Sequence, residues 1–212
     1  MNEMLHVYAF GSICRGEILP GSDVDLLAVT TGSANQLSRA MFSIYSHAKI
    51  ARIWADGNPF AWHLHLEAKL IYGSDDRDFF FTLGSPATYN NTHKDCERFL
   101  EIFRQARNSA EKDSRSIVFD LSAVFLALRN FSSCYLLGRG CPNFSRGVAL
   151  DLMGDHPPIE LNIYRILERA RLLSTRGYGA PLDQAEISEA LKALPALENW
   201  MSRLKDREND QR

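Results

Sequence analysis

From residue 5 to residue 29 the chain runs from a compact apolar stretch into Phe10-Gly11-Ser12. It passes through a connection closed by Pro20-Gly21 and emerges as Ser22-Asp23-Val24-Asp25-Leu26-Leu27-Ala28-Val29. This order predicts a strand over 5–10, a helical turn or loop over 13–19 and a second strand over 23–29. Glycine lets a ligand approach the backbone with no Cβ in the way, and serine at the start of a helical turn leaves N–H groups aimed at an anion. Alternation along the second strand places Asp23 and Asp25 on one face and sends Val24 and Leu26 into the core. Two ionised carboxylates about 4 Å apart repel by several kcal/mol at a protein surface, so the pair calls for a cation. Magnesium, which one or two carboxylates hold together with substrate phosphates, suits acids that follow a phosphate-binding corner.

Asp-x-Asp alone arises by chance roughly once in a chain of this length. The chain holds its own counterexample, Gly73-Ser74-Asp75-Asp76-Arg77-Asp78, where Arg77 interrupts the acids and no apolar strand surrounds them. That segment is expected to be a solvated turn. In contrast, Gly11-Ser12, Arg15-Gly16 and Gly21-Ser22-Asp23-Val24-Asp25-Leu26 resemble the signature of the DNA polymerase β-like nucleotidyltransferases. The resemblance is to the small bacterial branch of minimal and aminoglycoside-type enzymes, and it covers about the first 90 residues.

The chain has 212 residues, enough for one domain or two small ones, and a net charge of -2, which gives no support for bulk nucleic-acid binding. Cys14, Cys96, Cys134 and Cys141 are widely spaced with no Cys-x-x-Cys pair, so neither a disulfide framework nor a zinc ribbon is expected. Residues 1–5 lack the basic and apolar regions of a leader, and no uninterrupted apolar run approaches a membrane span; the expected location is the cytoplasm.

Beyond the second strand, Leu37, Met41, Ile44 and Tyr45 recur at helical spacing and predict a helix over 33–48 with Ser33 as N-cap. A third strand is expected over 50–55, a turn at Asp56-Gly57-Asn58-Pro59 and a fourth strand over 60–72. In that strand Trp62, Leu64 and Leu66 alternate with His63, His65 and Glu67. The resemblance implies a third acid on a later strand beside the Asp-x-Asp strand. Glu67 in Leu66-Glu67-Ala68 matches, 42 residues after Asp25, and His65 is its rival if the register shifts by two. His63-x-His65-x-Glu67 could also be a separate zinc site, but the barrel-based His-x-His hydrolases need a longer chain. Arg15 suits a triphosphate contact because guanidinium matches phosphate geometry, and Lys69 is a second cationic candidate.

From Thr92 onward helical patterns occupy 95–112, 117–137, 144–153, 159–174 and 182–205. The expected fold is therefore α+β: a small mixed β-sheet nucleotidyltransferase domain over 1–90, followed by an all-α helical bundle over 91–212. The segment 117–137 is apolar nearly all round and should be the central helix, with Ser122, Arg129 and Ser133 on one polar stripe. A buried arginine there must be paired, for which Asp120 is a candidate, or else the stripe faces a ligand. Helical partners of this branch resemble the HEPN group, whose ribonuclease members need a histidine after Arg and a polar residue. Here Arg129-Asn130 is followed by Cys134, Tyr135 and Leu136, so no ribonuclease activity is expected.

The resemblance implies transfer of a nucleoside monophosphate, from ATP or another triphosphate, to a hydroxyl of a small molecule or protein, with release of pyrophosphate. Asp23, Asp25 and Glu67 would hold two magnesium ions, and Gly11, Ser12, Arg15 and Ser22 would contact the triphosphate. The bundle would cover the cleft and supply most acceptor contacts. The alternative is a weak or inactive nucleotide-binding regulator, antitoxin-like, with a helical toxin as partner; a dimer is also open.

Overall fold

The computed structural model describes residues 4–18, 23–32, 37–75, 77–112 and 114–209. Compact units form over Met1–Asn90 and Asn91–Arg212. In the first, strand β1 (Leu5–Phe10) alternates half-buried and buried residues, as a strand covered more fully on one face should. It pairs antiparallel with β2 (Asp25–Thr30), from Leu5 opposite Thr30 to Phe10 opposite Asp25. Strand β3 (Phe42–Ser46) lies parallel to β2, and β4 (Lys69–Gly73) pairs antiparallel with β1, giving a mixed sheet of order β3-β2-β1-β4. Helices α1 (His47–Ala55), α2 (Pro59–Glu67) and α3 (Phe79–Leu83) contribute Ile50, Ile53, Trp54, Ala61, Leu64 and Phe80 to a core completed by Tyr8, Phe10, Leu27 and Val29.

Residues 42–73 depart from the sequence expectation. Phe42–Ser46, assigned to a helix over 33–48, is β3, and Ser33, the expected cap, lies outside the described residues. Residues 50–55, expected as a strand, belong to α1: Ser46 Oγ accepts from the Lys49 N–H at 3.1 Å, and Ile50, Ile53 and Trp54 bury one helical face. The expected strand over 60–72 divides into α2 and β4. Asn58 Oδ1 accepts from the Phe60 N–H at 2.9 Å, and Pro59 occupies the first helical turn, where its missing N–H is no loss. The alternation of Trp62, Leu64 and Leu66 therefore does not sort residues between two sheet faces; Leu64 is buried and Leu66 exposed.

Asp75 and Asp78, expected in a solvated turn, are less solvated than expected. Asp75 Oδ1 lies 2.9 Å from the buried His6 Nε2, and Asp78 caps α3 while accepting from the Tyr8 hydroxyl at 2.8 Å.

The second unit comprises α4 (Thr92–Lys112), α5 (Ile117–Gly138), α6 (Leu161–Arg176) and α7 (Gln184–Asn209). Helix α5 contacts the other three. It is long and apolar enough to cross a membrane, with mean hydropathy 1.4, which the run-based reading of the sequence passed over. Most of it is buried among its neighbours, and burial against protein explains the same composition.

Residues 144–153 form turns in place of the expected helix. Arg129 donates from Nε to the Ser145 carbonyl at 3.2 Å and from Nη2 to the Phe144 carbonyl at 2.6 Å, and the Tyr164 hydroxyl donates to the Arg146 carbonyl at 2.6 Å. Side chains thus satisfy backbone groups that a helix would have paired internally. The arginine stripe has this structural use. Asp120 accepts from Ser116 Oγ, and Ser122 Oγ accepts from Arg171 Nη1 at 3.4 Å.

Candidate active site

The site grows from the end of β1. After Phe10 the backbone turns at Gly11, with φ 80° and ψ -153°, into a single 3-10 turn over Ser12–Arg15. The Cys14 N–H donates to the Gly11 carbonyl at 3.1 Å, and Gly16, with φ 76°, ends the turn in the left-handed region. The Glu17 N–H then donates to the Ser12 carbonyl at 2.9 Å, folding the chain back over the turn.

The pairing of Phe10 with Asp25 sets the first residue of β2 beside this corner. A Cβ built on Gly11 would stand 2.5 Å from Asp25 Oδ2, so the carboxylate fills the space a side chain would need. Gly11 and Asp25, inferred separately from sequence, are one structural feature. Asp23 lies exposed in the segment entering β2. The facing of this strand is the reverse of the expectation. Asp25 shares a face with Leu27 and Val29, which enter the core under the helices, whereas Val24 is 50% exposed and Leu26 half-buried. Ser22 and Gly21 lie outside the described residues.

Arg15 closes the corner. Its Nη1 donates to Glu67 Oε2, and its Nη2 to Glu17 Oε2 at 2.9 Å. Burial works against the guanidinium charge, but its bonds to the two carboxylates outweigh this and raise its pKa. Glu67 ends α2, and its Oε2 also lies 2.8 Å from His63 Nε2, one helical turn earlier. Phe10 meets the His63 ring edge-on at 5.7 Å, which fixes the imidazole against β1. His65 points elsewhere, toward Trp54 and Trp62, so the His63, His65 and Glu67 trio considered as a possible zinc site does not converge. The Cys14 thiol sits within the electrostatic reach of Lys69, Glu67, Arg15 and Asp25; burial is the main cause pushing its pKa up. Lys69 begins β4 and is exposed.

The strand beside β2 is β3, Phe-Ser-Ile-Tyr-Ser, and it carries no acid. Glu67 comes instead from a helix end and is engaged by Arg15 and His63. Among the described residues no three His, Cys, Asp or Glu side chains are grouped so as to hold a metal ion. Asp23 and Asp25 remain as the acids in the entry to β2. Sequence reasoning left Glu17 out of the site and considered His63 only as a zinc ligand. The Asn58-Pro59 helix start was the signal for His63, because it puts His63 and Glu67 one turn apart on the same helix.

Residues 3–75 match the family model described as a nucleotidyltransferase domain. This segment is a nucleotidyltransferase domain. The general chemistry of this family is nucleotidyl transfer, and the match supports a nucleotidyltransferase enzyme. Domains of this family generally use a nucleoside triphosphate and a divalent metal. No curated protein matches the chain. Among solved structures, it is similar to a nucleotidyltransferase-like protein from Exiguobacterium sibiricum 255-15, at 16% identity and a TM-score of 0.39, over 95% of this chain and 69% of that one.

Proposed function

We propose that the nucleotidyltransferase domain transfers a nucleoside monophosphate, with ATP the favoured donor, to a hydroxyl of a small molecule or protein and releases pyrophosphate. The observation that carries this is the Asp25 carboxylate seated against Gly11, beside the turn that presents Arg15. The donor set fits a hard divalent cation: Asp23 and Asp25 supply oxygen ligands, and magnesium takes one or two carboxylates and completes its shell with substrate phosphates and water. When bound, such an ion neutralises phosphate charge and makes an acceptor hydroxyl more acidic.

The chain's own residues do the rest. Gly11 leaves room for the Asp25 carboxylate and lets the backbone approach phosphate oxygens closely. Arg15 supplies a charged donor to the triphosphate, and Ser12 and Ser22 supply hydroxyls within the same segment. Because Glu67 holds the Arg15 guanidinium before the substrate arrives, that donor meets the charge developing in the transferring phosphoryl group from a set position. The free thiols Cys14, Cys96, Cys134 and Cys141 support placing the reaction in the cytoplasm.

The test is incubation of the full chain with magnesium and α-labelled triphosphates, with and without cell extract. Label is expected on a protein or metabolite, and it should vanish in Asp23→Ala and Asp25→Asn. Undiminished transfer in those variants would refute the site.

A further inference from the structure

We propose that Arg15 is a phosphate clamp governed by two carboxylates of opposite role. Glu17 is a built-in stand-in for substrate phosphate that must be displaced, and Glu67, backed by His63, is the anchor that positions the guanidinium. The inference rests on the nucleotidyltransferase reading and extends it to how the triphosphate gains entry.

The two acids bind different ends of one guanidinium, and their surroundings differ. Glu67 is 10% exposed, and its Oε2 faces both Arg15 Nη1 and His63 Nε2, whose side chain is 15% exposed. Glu17 is 37% exposed and is held to Arg15 Nη2 from the solvent side. An exposed ion pair contributes little because water competes for both partners, whereas removing one member of a largely buried pair leaves the other uncompensated. Glu17 is therefore the partner that exchanges and Glu67 the one that stays.

The backbone enforces the arrangement. Gly16, left-handed at φ 76°, with the Glu17 N–H on the Ser12 carbonyl, returns the Glu17 carboxylate to the arginine two residues earlier. Arg15 Nε is buried and has no hydrogen-bond partner, so the guanidinium retains an unmet donor while two carboxylates already neutralise its charge. Carboxylate and phosphate oxygens present the same acceptor pattern to a guanidinium, and a polyphosphate brings more charge than one carboxylate. The clamp thus opens to a polyphosphate in preference to singly charged anions, a selectivity set by the acid it must displace.

The experiment titrates the full chain with inorganic tripolyphosphate by calorimetry, in EDTA at fixed ionic strength, so that Arg15 is read without metal or acceptor. Glu17→Gln is expected to tighten binding about two- to fivefold. Glu67→Gln and His63→Leu should weaken it about tenfold. His63→Gln, which keeps an N–H donor, should retain most of the affinity. In an Arg15→Ala background the Glu17 effect should vanish. A gain of function cannot come from misfolding, so the opposite signs guard against trivial loss. Absence of tripolyphosphate binding by the natural chain, an unchanged Glu17→Gln, or tighter binding in both acid variants would each overturn the clamp. Label transfer that depends on Asp23, together with a flat Glu17→Gln titration, rejects the clamp and keeps the transferase. Opposite-signed titrations without label transfer do the reverse.

Discussion

Replacing Gly11 by alanine tests whether the corner and the acid are one feature. At φ 80° and ψ -153° the residue occupies a region that is essentially glycine-only, at a cost of about 1–3 kcal/mol for any other residue. The new Cβ would lie 2.5 Å from Asp25 Oδ2, closer than real Cβ atoms come to any heavy atom. Strand pairing holds Phe10 opposite Asp25, so the carboxylate at the end of that side chain must swing aside, at small cost because its terminal torsion is soft. The cost is therefore about 1–3 kcal/mol of backbone strain, together with a displaced Asp25. Gly16→Ala is the control: its φ is 76°, but its Cβ would meet nothing within 4 Å, so only the left-handed penalty of about 1 kcal/mol applies. Amide exchange over residues 5–10, followed by mass spectrometry, reads the stability of this unit by itself. Binding of manganese in the presence of tripolyphosphate, followed by its paramagnetic resonance, reads the displaced acid. Gly11→Ala should accelerate exchange more than Gly16→Ala and lose manganese binding. If Gly11→Ala matched the natural chain in both measurements, the coupling of corner to carboxylate would be wrong.

Two further outcomes are expected elsewhere in the chain. Arg129→Met leaves the Phe144 and Ser145 carbonyls without their charged donor and should destabilise the bundle by about 2–3 kcal/mol, with faster proteolysis within 143–156. A proteolysis rate equal to that of the natural chain would contradict the staple. In the Asp75, His6 and His47 chain, burial and then the charge of His6 hold the His47 imidazole below its ordinary 6.5, against an opposing pull from Asp75. The folded chain takes up this proton at lower pH than the unfolded chain, so stability should fall as pH drops from 6.5 through the folded value. Burial raises the Asp75 carboxyl, but bonds from His6 and the Arg77 N–H outweigh it. Its pKa sits below the ordinary 3.8, and further stability is lost as that carboxylate is protonated. Urea unfolding across this range should show a shallower acid limb in His47→Gln, and equal slopes would refute the assignment.

The parts legible in the sequence were those set by neighbours along the chain. The glycine corner, the acids two residues apart and the change to helical character after Thr92 each depend on local dihedral preference or on a single period. The middle of the first unit was misread for the same reason. His63, His65 and Glu67 alternate over too short a window to separate period 2.0 from period 3.6, and only the cap at Asn58 and the following Pro59 distinguished the two. In Phe42–Ser46, apolar spacing mimicked a helix, while pairing with β2 decided for a strand.

By itself, then, the amino-acid order determined the turn at Gly11, the presence of two acids beside it and the apolarity of α5, since these follow from each residue's own backbone and side chain. Tertiary structure alone decided that Asp25 presses on Gly11, that Glu67 turns to Arg15 and His63, and that Arg129 supports a loop. The reason is that a charged group's role depends on which opposite charge the fold brings within reach and how much water it leaves between them. Neither distance nor dielectric is encoded in sequence spacing.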